Sequence, residues 1–186
     1  MIVEVASKRR RTPFPADVAV VDVTSRGPEP WVRLSPFYPH GGIPVPLSPG
    51  EVGTSVEGIW QALKVFAEAD VDVSKLTVAR MSGLKRTVRR FGPVLGHRDG
   101  LRGSGLLDYE TARRRIYLPA YRWVLDNCVS DVLEELRELG AERPLVLLDY
   151  TTNGDVANLA TPLSHAALVA RHLTGRWDDS KTVAGR

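Results

Sequence analysis

Residues 35–53 hold five prolines and four glycines, and no other feature restricts the fold as strongly. Proline fixes φ and removes a backbone donor, and glycine loses much conformational freedom when held in a regular element. Neither a helix nor a strand can run through such a stretch, so an irregular loop is predicted. Phe37 and Tyr38 make it too aromatic for a flexible linker, and long loops of this kind inside compact domains tend to carry function.

The loop divides the chain. Before it, residues 2–5 and 18–23 are rich in valine and isoleucine and read as short buried strands, with 31–34 as a third. After it, Thr54 or Ser55 can cap a helix, and Glu57 in the first turn suits the helix dipole. Residues 84–90 predict a short helix ended by Gly92 and Pro93, and 96–105 are rich in turn residues. Asp108 caps a long helical region that reaches Cys128 and is interrupted or restarted at Pro119. Ser130 begins a helix to Leu139 that Gly140 closes. Residues 145–148 form a buried strand leading into Asp149, and 162–173 form the last helix. The expected architecture is α+β: one helix-rich domain over residues 1–174 with a few short strands, then a polar, mobile tail over 175–186.

Hydrophobic residues at 43% and charged residues at 25% fit a globular chain rather than a disordered one. No apolar run approaches the roughly eighteen residues of a membrane span. At the N-terminus the basic residues follow the apolar ones, the reverse of a secretory leader, so the cytoplasm is the expected compartment. One cysteine, Cys128, makes no internal disulfide, and the four histidines lack ligand spacing, so no metal and no cofactor are expected. A net charge of +3 is too small for a dedicated nucleic-acid module. Basic residues do cluster at 8–11, at Lys85, Arg86, Arg89 and Arg90, and at 113–115. Each cluster suits either a phosphate-bearing ligand or plain solvated surface.

Read as a helix at about 100° per residue, residues 55–66 place Val56, Ile59, Leu63 and Phe66 on one side. Glu57, Gln61 and Lys64 stack on the other, flanked by Trp60. A carboxylate, an amide and an amine in register make an acid/base and hydrogen-bonding row, and equally an ordinary exposed helix face. Other polar residues carry the same two readings. His40 in the proline-rich loop, and His97 with Arg98 in a turn, either touch substrate or hold structure. His165 reads as a buried histidine. Asp149 and Asn153 end a buried strand, where polar groups face a cleft or cap a turn. Phe91 and Trp123 read as core.

Leu34-Ser35-x-Phe37, followed by Ser55-x-Glu57-x-x-Trp60-Gln61-Ala62-x-Lys64, resembles the signature of the NADAR superfamily. Leu107-Asp108-Tyr109-Glu110-x-x-Arg113 and Asn158-Leu159-Ala160, with Arg171 beyond, match its later segments in order. The resemblance spans residues 30–173 and marks an outlying branch. Pro36 replaces the family's asparagine, Gly58 replaces its His or Asn, and residues 150–155 stand where a Trp-Gly-x-Gly segment is usual.

The resemblance implies a YbiA-like fold and an N-glycoside hydrolase acting on a ribosyl–base bond, such as that of ADP-ribosylated guanine or a ribosylamino nucleotide. Breaking that bond passes through an oxocarbenium-like sugar. Glu57 would stabilise the cation or act as base towards water. Lys64 would act as acid or attack the anomeric carbon to form an imine. Gln61 would orient ribose hydroxyls, and Trp60 would pack on the base. Ser35, Phe37, His40, Asp149 and Asn158 would complete the binding site, and Arg86, Arg89, Arg90 and Arg98 would hold phosphates. The expected partner is a phosphorylated nucleoside or an ADP-ribosyl compound, free or on nucleic acid. The alternative is a module that binds a nucleotide or ADP-ribose without turning it over, or an antitoxin-like partner.

Overall fold

The computed structural model describes residues 1–177. The fold is α+β, with helices and short strands gathered in small sheets. The chain forms two compact units, one from Met1–Ser35 with the chain from Leu125 onward, the other Pro36–Val124.

The first unit is built on a three-stranded, all-parallel sheet. Leu145–Asp149 is its central strand, between Val3–Ser7 and Ala19–Asp22, with Val3 and Ala19 both opposite Leu145. Parallel strands covered on both faces read as continuous apolar runs, and Leu145, Val146 and Leu147 are all buried. Helices Ser130–Glu142 and His165–Leu173 pack against this sheet. Residues 31–34 are a 3-10 helix, Trp31–Leu34, and not a strand. Pro28 and Pro30 begin a tight turn there, with Val32 N–H donating to Pro28 O and Arg33 N–H to Pro30 O. The helix from Ser130 does not stop at Gly140. A Cβ at that glycine would lie 2.4 Å from the Met1 sulfur, so the residue serves close packing instead of ending the helix. The last helix starts at His165 and not at Pro162, because Ser164 accepts the Ala167 N–H and caps it. Of the segment expected to be a mobile tail, residues 178–186 lie outside the described residues.

In the second unit the proline-rich stretch is irregular apart from the short antiparallel pairing of Ile43–Pro44 with Val52–Gly53. Ser55 then caps the helix Val56–Leu63 by accepting the Gly58 N–H at 3.0 Å. Every residue of this helix is buried. The chain leaves it at Lys64, which is extended, and Lys64–Phe66 becomes a strand antiparallel to Val94–Arg98. Leu106–Leu107 completes that sheet. Residues 96–98, expected in a turn, are therefore strand, and glycine is required within it. Gly96 has φ 152, and a Cβ there would lie 2.4 Å from the Leu107 carbonyl oxygen of the neighbouring strand. The helix expected over 84–90 is only Val88–Phe91. From the Asp108 cap, Tyr109–Ala112 runs through a π turn, Arg113–Tyr117, into Leu118–Asn127. The wider turn falls just before Pro119, where a missing N–H already interrupts α-helical bonding.

Candidate active site

The buried helix carries Glu57 and Gln61 inward. They are 8% and 3% exposed, so of the two readings of this row the ordinary exposed helix face does not hold. Ser55 and Pro36 fix the first turn, the second by accepting the Glu57 N–H at 2.8 Å. The Gln61 amide donates to Glu57 Oε1 at 2.9 Å, and its own oxygen accepts the Arg86 N–H at 3.0 Å. Both ends of Gln61 are thus engaged within the protein, and its amide holds the Glu57 carboxylate in place.

Burial pushes the Glu57 carboxyl above the usual range, against the Gln61 hydrogen bond and the charges of Lys64 and Lys85. Burial also lowers the Lys64 ammonium, opposed by Glu57 and reinforced by Lys85 and Arg86. The two groups are pushed toward each other in acidity. Lys64 sits at the first residue of the strand, with its Nζ 5.8 Å from the centre of the Trp60 ring. Trp60 packs against His97 at 3.8 Å between centroids and meets Tyr117 edge-on at 5.8 Å. His97 is the strand partner of Lys64. It is fully buried, and burial with the Lys64 charge depresses it to about 3. No apolar alternation in Val94-Leu95-Gly96-His97-Arg98 marks the segment as a strand, since its burial does not alternate and glycine interrupts it.

Lys85 also belongs here. Its charge acts on both Glu57 and Lys64, and its Nζ lies 5.6 Å from the Phe37 ring centre. Phe37 and Lys85 thus join the helix residues, as the loop position of Phe37 suggested. His40 rests against Tyr38, with ring centroids 4.8 Å apart.

The arginines divide. Arg86 is consumed by the fold: Nη1 donates to the carbonyls of Gln61 at 3.1 Å and Lys64 at 2.5 Å, and Nη2 to that of Asp70 at 2.7 Å. Its guanidinium lies beside the contacting rings of Phe66 and Phe91, 4.9 and 5.2 Å from their centres. Arg98 holds Asp70 through two bonds of 2.9 and 2.6 Å and bonds the Ser104 carbonyl. That fork holds the Asp70 carboxyl down to about 2. Neither arginine is the open phosphate ligand expected. Arg90 is exposed, packed on Phe91, and Arg89 is exposed on the same short helix.

Ser35, Asp149 and Asn158 belong to the first unit. Ser35 is buried at the end of the 3-10 helix, its N–H bonded to Val32 O. Asp149 accepts from Tyr150 N–H and from the Ser164 hydroxyl at 2.8 Å, and pairs with His165. Of its two readings, capping is the one the geometry supports. Asn153 likewise organises a loop by donating to the carbonyls of Asn158 and Thr161, and Asn158 accepts the Ala160 N–H.

Gly58 has a local reason. A Cβ there would lie 2.6 Å from the Lys75 carbonyl oxygen and 3.0 Å from the capping Ser55 Oγ, so no side chain fits. Among the described residues no three His, Cys, Asp or Glu side chains are grouped as metal ligands, and no helix is long and apolar enough to cross a membrane.

A family model, described as a family of unknown function (DUF6939), matches residues 4–169. No curated protein matches the chain, and no solved structure does.

Proposed function

The chain belongs to the DUF6939 family, and we propose that it is an N-glycosidase whose reactive pair is Glu57 and Lys64, acting on the ribosyl–base bond of a phosphorylated nucleoside or ADP-ribosyl compound. One observation carries this reading. Glu57, 8% exposed and held by the Gln61 amide at 2.9 Å, has its carboxyl pushed up by burial. The half-buried Lys64 at the end of the same helix has its ammonium pushed down, and each feels the other's charge, an arrangement that favours proton transfer between them. The NADAR-like pattern around the same residues supplies the bond type.

In the simplest cycle the Lys64 ammonium gives a proton to the base nitrogen as the carbon–nitrogen bond breaks. The ionised Glu57 steadies the oxocarbenium-like sugar and takes a proton from the water that adds to it. Return of that proton from Glu57 to Lys64 restores the pair. If Lys64 instead attacks the anomeric carbon as the free amine, the bond to the base breaks and the base leaves with the proton of Glu57. Glu57 then takes a proton from the new ammonium, and the sugar ring oxygen leaves with a proton to open the ring to an imine. Water hydrolyses that imine, and borohydride would trap it as a stable adduct.

The test is incubation of the protein with ADP-ribosylated guanosine, free and in DNA, and with ribosylamino-pyrimidine phosphates, following released sugar. Release by the wild type and its loss in Glu57→Gln support the proposal. Binding of ADP-ribose with no sugar released from any of these compounds would make the domain a binding module.

A further inference from the structure

A polar cleft of about 440 Å³ opens in the second unit beside Lys75, Lys85, Thr87 and Arg90. Its charge is lopsided. The chain from residue 75 to 94 contains no Asp or Glu, and among the described residues neither Lys85 nor Arg90 is paired with a carboxylate. Both are exposed and lie over ring faces, Lys85 over Phe37 and Arg90 over Phe91. Lys75 is tied to the Gly83 carbonyl at 3.0 Å, which fixes its charge at the rim.

Arg86 also lines the cleft. Its side chain is 2% exposed, and its Nε is buried without a hydrogen-bond partner. The one acid lining the cleft is Asp72, whose Oδ2 lies 3.9 Å from that Nε, while its Oδ1 accepts from Ser74 N–H and Oγ. Four cations therefore face one carboxylate. A fixed guanidinium with two exposed cations lining the same cleft is an anion-binding arrangement.

We propose that this cleft is the phosphate subsite: Lys85 and Arg90 grip the phosphate or diphosphate of a small ligand over the fixed charge of Arg86. The word substrate here rests on the Glu57–Lys64 reading; the anion site itself does not. Lys85 links the two, since its charge reaches both members of that pair. The proposed ligand set is thus Lys85 and Arg90 with Lys75 at the rim and Arg86 as fixed charge, while Arg98 is held by Asp70.

Calorimetric titration of the full chain with inorganic pyrophosphate and with ADP-ribose, at low and high salt, tests this. Wild type should bind both, more weakly as salt rises. Lys85→Ala/Arg90→Ala should bind each about tenfold or more weakly, with an unchanged melting temperature because both side chains are exposed. Arg90→Glu should weaken binding further than Arg90→Ala. Failure of the wild type to bind either probe, or equal affinity in the double variant, overturns the proposal. Glu57→Gln separates the two readings: retained pyrophosphate affinity with no sugar release from any nucleoside by wild type leaves the anion site standing and removes the glycosidase. In the converse case, sugar release that the double variant leaves unaltered in KM, the glycosidase stands and the cleft falls.

Discussion

The imidazole of His97 packs on the indole of Trp60 at 3.8 Å between ring centroids, and both of its nitrogens are buried without a hydrogen-bond partner. An imidazole so placed cannot take up charge, and its folded value is about 3 against an ordinary 6.5. The unfolded chain binds the proton more tightly, so stability rises with pH between those values and is lost as pH falls below 6.5. His97→Phe keeps an aromatic on Trp60 and removes the titration. Replacing an unsatisfied polar group by an apolar one of similar shape is close to neutral at pH 7. Between pH 7 and 5 the wild type should lose about 2 kcal/mol more than the variant, at about 1.4 kcal/mol per unit below 6.5. Urea unfolding at the two pH values measures this. A His97 ring resonance that titrates near 6.5 would contradict the burial argument.

Glu57→Gln isolates chemistry from folding. An amide at this position can still accept the Gln61 amide bond, and the change removes a carboxyl from a buried site that disfavours its charge. Stability should hold or rise, while turnover falls on the order of 10²–10⁴-fold, the usual contribution of a general acid or base. Lys64→Ala should lower the rate comparably if the amine takes part. Thermal melts run beside the activity assay separate the two effects, and a Glu57→Gln enzyme of wild-type rate would remove the carboxyl from the reaction.

The Ser55 cap, the three strands of the parallel sheet and the grouping of Glu57, Gln61 and Lys64 in one short segment were legible in the sequence. The break at Lys64 was not. Residues 55–66 keep a helical apolar period, yet Val65 is β-branched, and the pairing of Lys64 with His97 and Val65 with Gly96 outweighs continued helix. The depth of the helix was hidden for a related reason. Glu57 and Gln61 look like an exposed face until Arg86, 25 residues on from Gln61, supplies the N–H that satisfies the amide. Arg86 itself illustrates what charge patterns omit. A basic cluster shows where cations are dense, but not that three carbonyl oxygens converge on one of them.

That convergence gives Arg86 a structural cost. Arg86→Ala would leave the carbonyls of Gln61, Lys64 and Asp70 without their donor and open space beside the Phe66–Phe91 pair. Loss of stability of about 3 kcal/mol or more is expected from unpaired buried acceptors and lost packing. Arg86→Lys should rescue little, because a point-charge ammonium cannot span carbonyls that a planar fork reaches together. Denaturant midpoints of the two variants decide it. A lysine variant as stable as the wild type would mean that charge, not the fork, is what the fold requires.

In the first unit the His165–Asp149 pair makes the opposite pH prediction. His165 Nδ1 lies 3.0 Å from Asp149 Oδ2, and Nε2 lies 2.8 Å from the Val23 carbonyl oxygen. A carbonyl only accepts, so Nε2 carries hydrogen, and a carboxylate facing Nδ1 favours hydrogen there too: the ring is an imidazolium. Burial alone would lower His165, but the Asp149 hydrogen bond and charge outweigh it and raise the value. Asp149, raised by burial, is brought below its ordinary range by His165 and Ser164. The histidine contribution is therefore complete below its unfolded value of about 6.5 and is lost as pH rises through the folded one. The aspartate contribution is complete above about 3.9 and is lost as pH falls through its own folded value. Asp149→Asn should cost about 3 kcal/mol near pH 6, where both partners are charged, since it strands a buried cation and weakens the tether to Ser164. It should also abolish the alkaline loss, because the ring without its carboxylate is already neutral there. Urea unfolding of wild type and variant at pH 6 and 8.5 reads both effects, and a variant with the wild-type midpoint at pH 6 would show that the pair does not hold the helix start to the sheet.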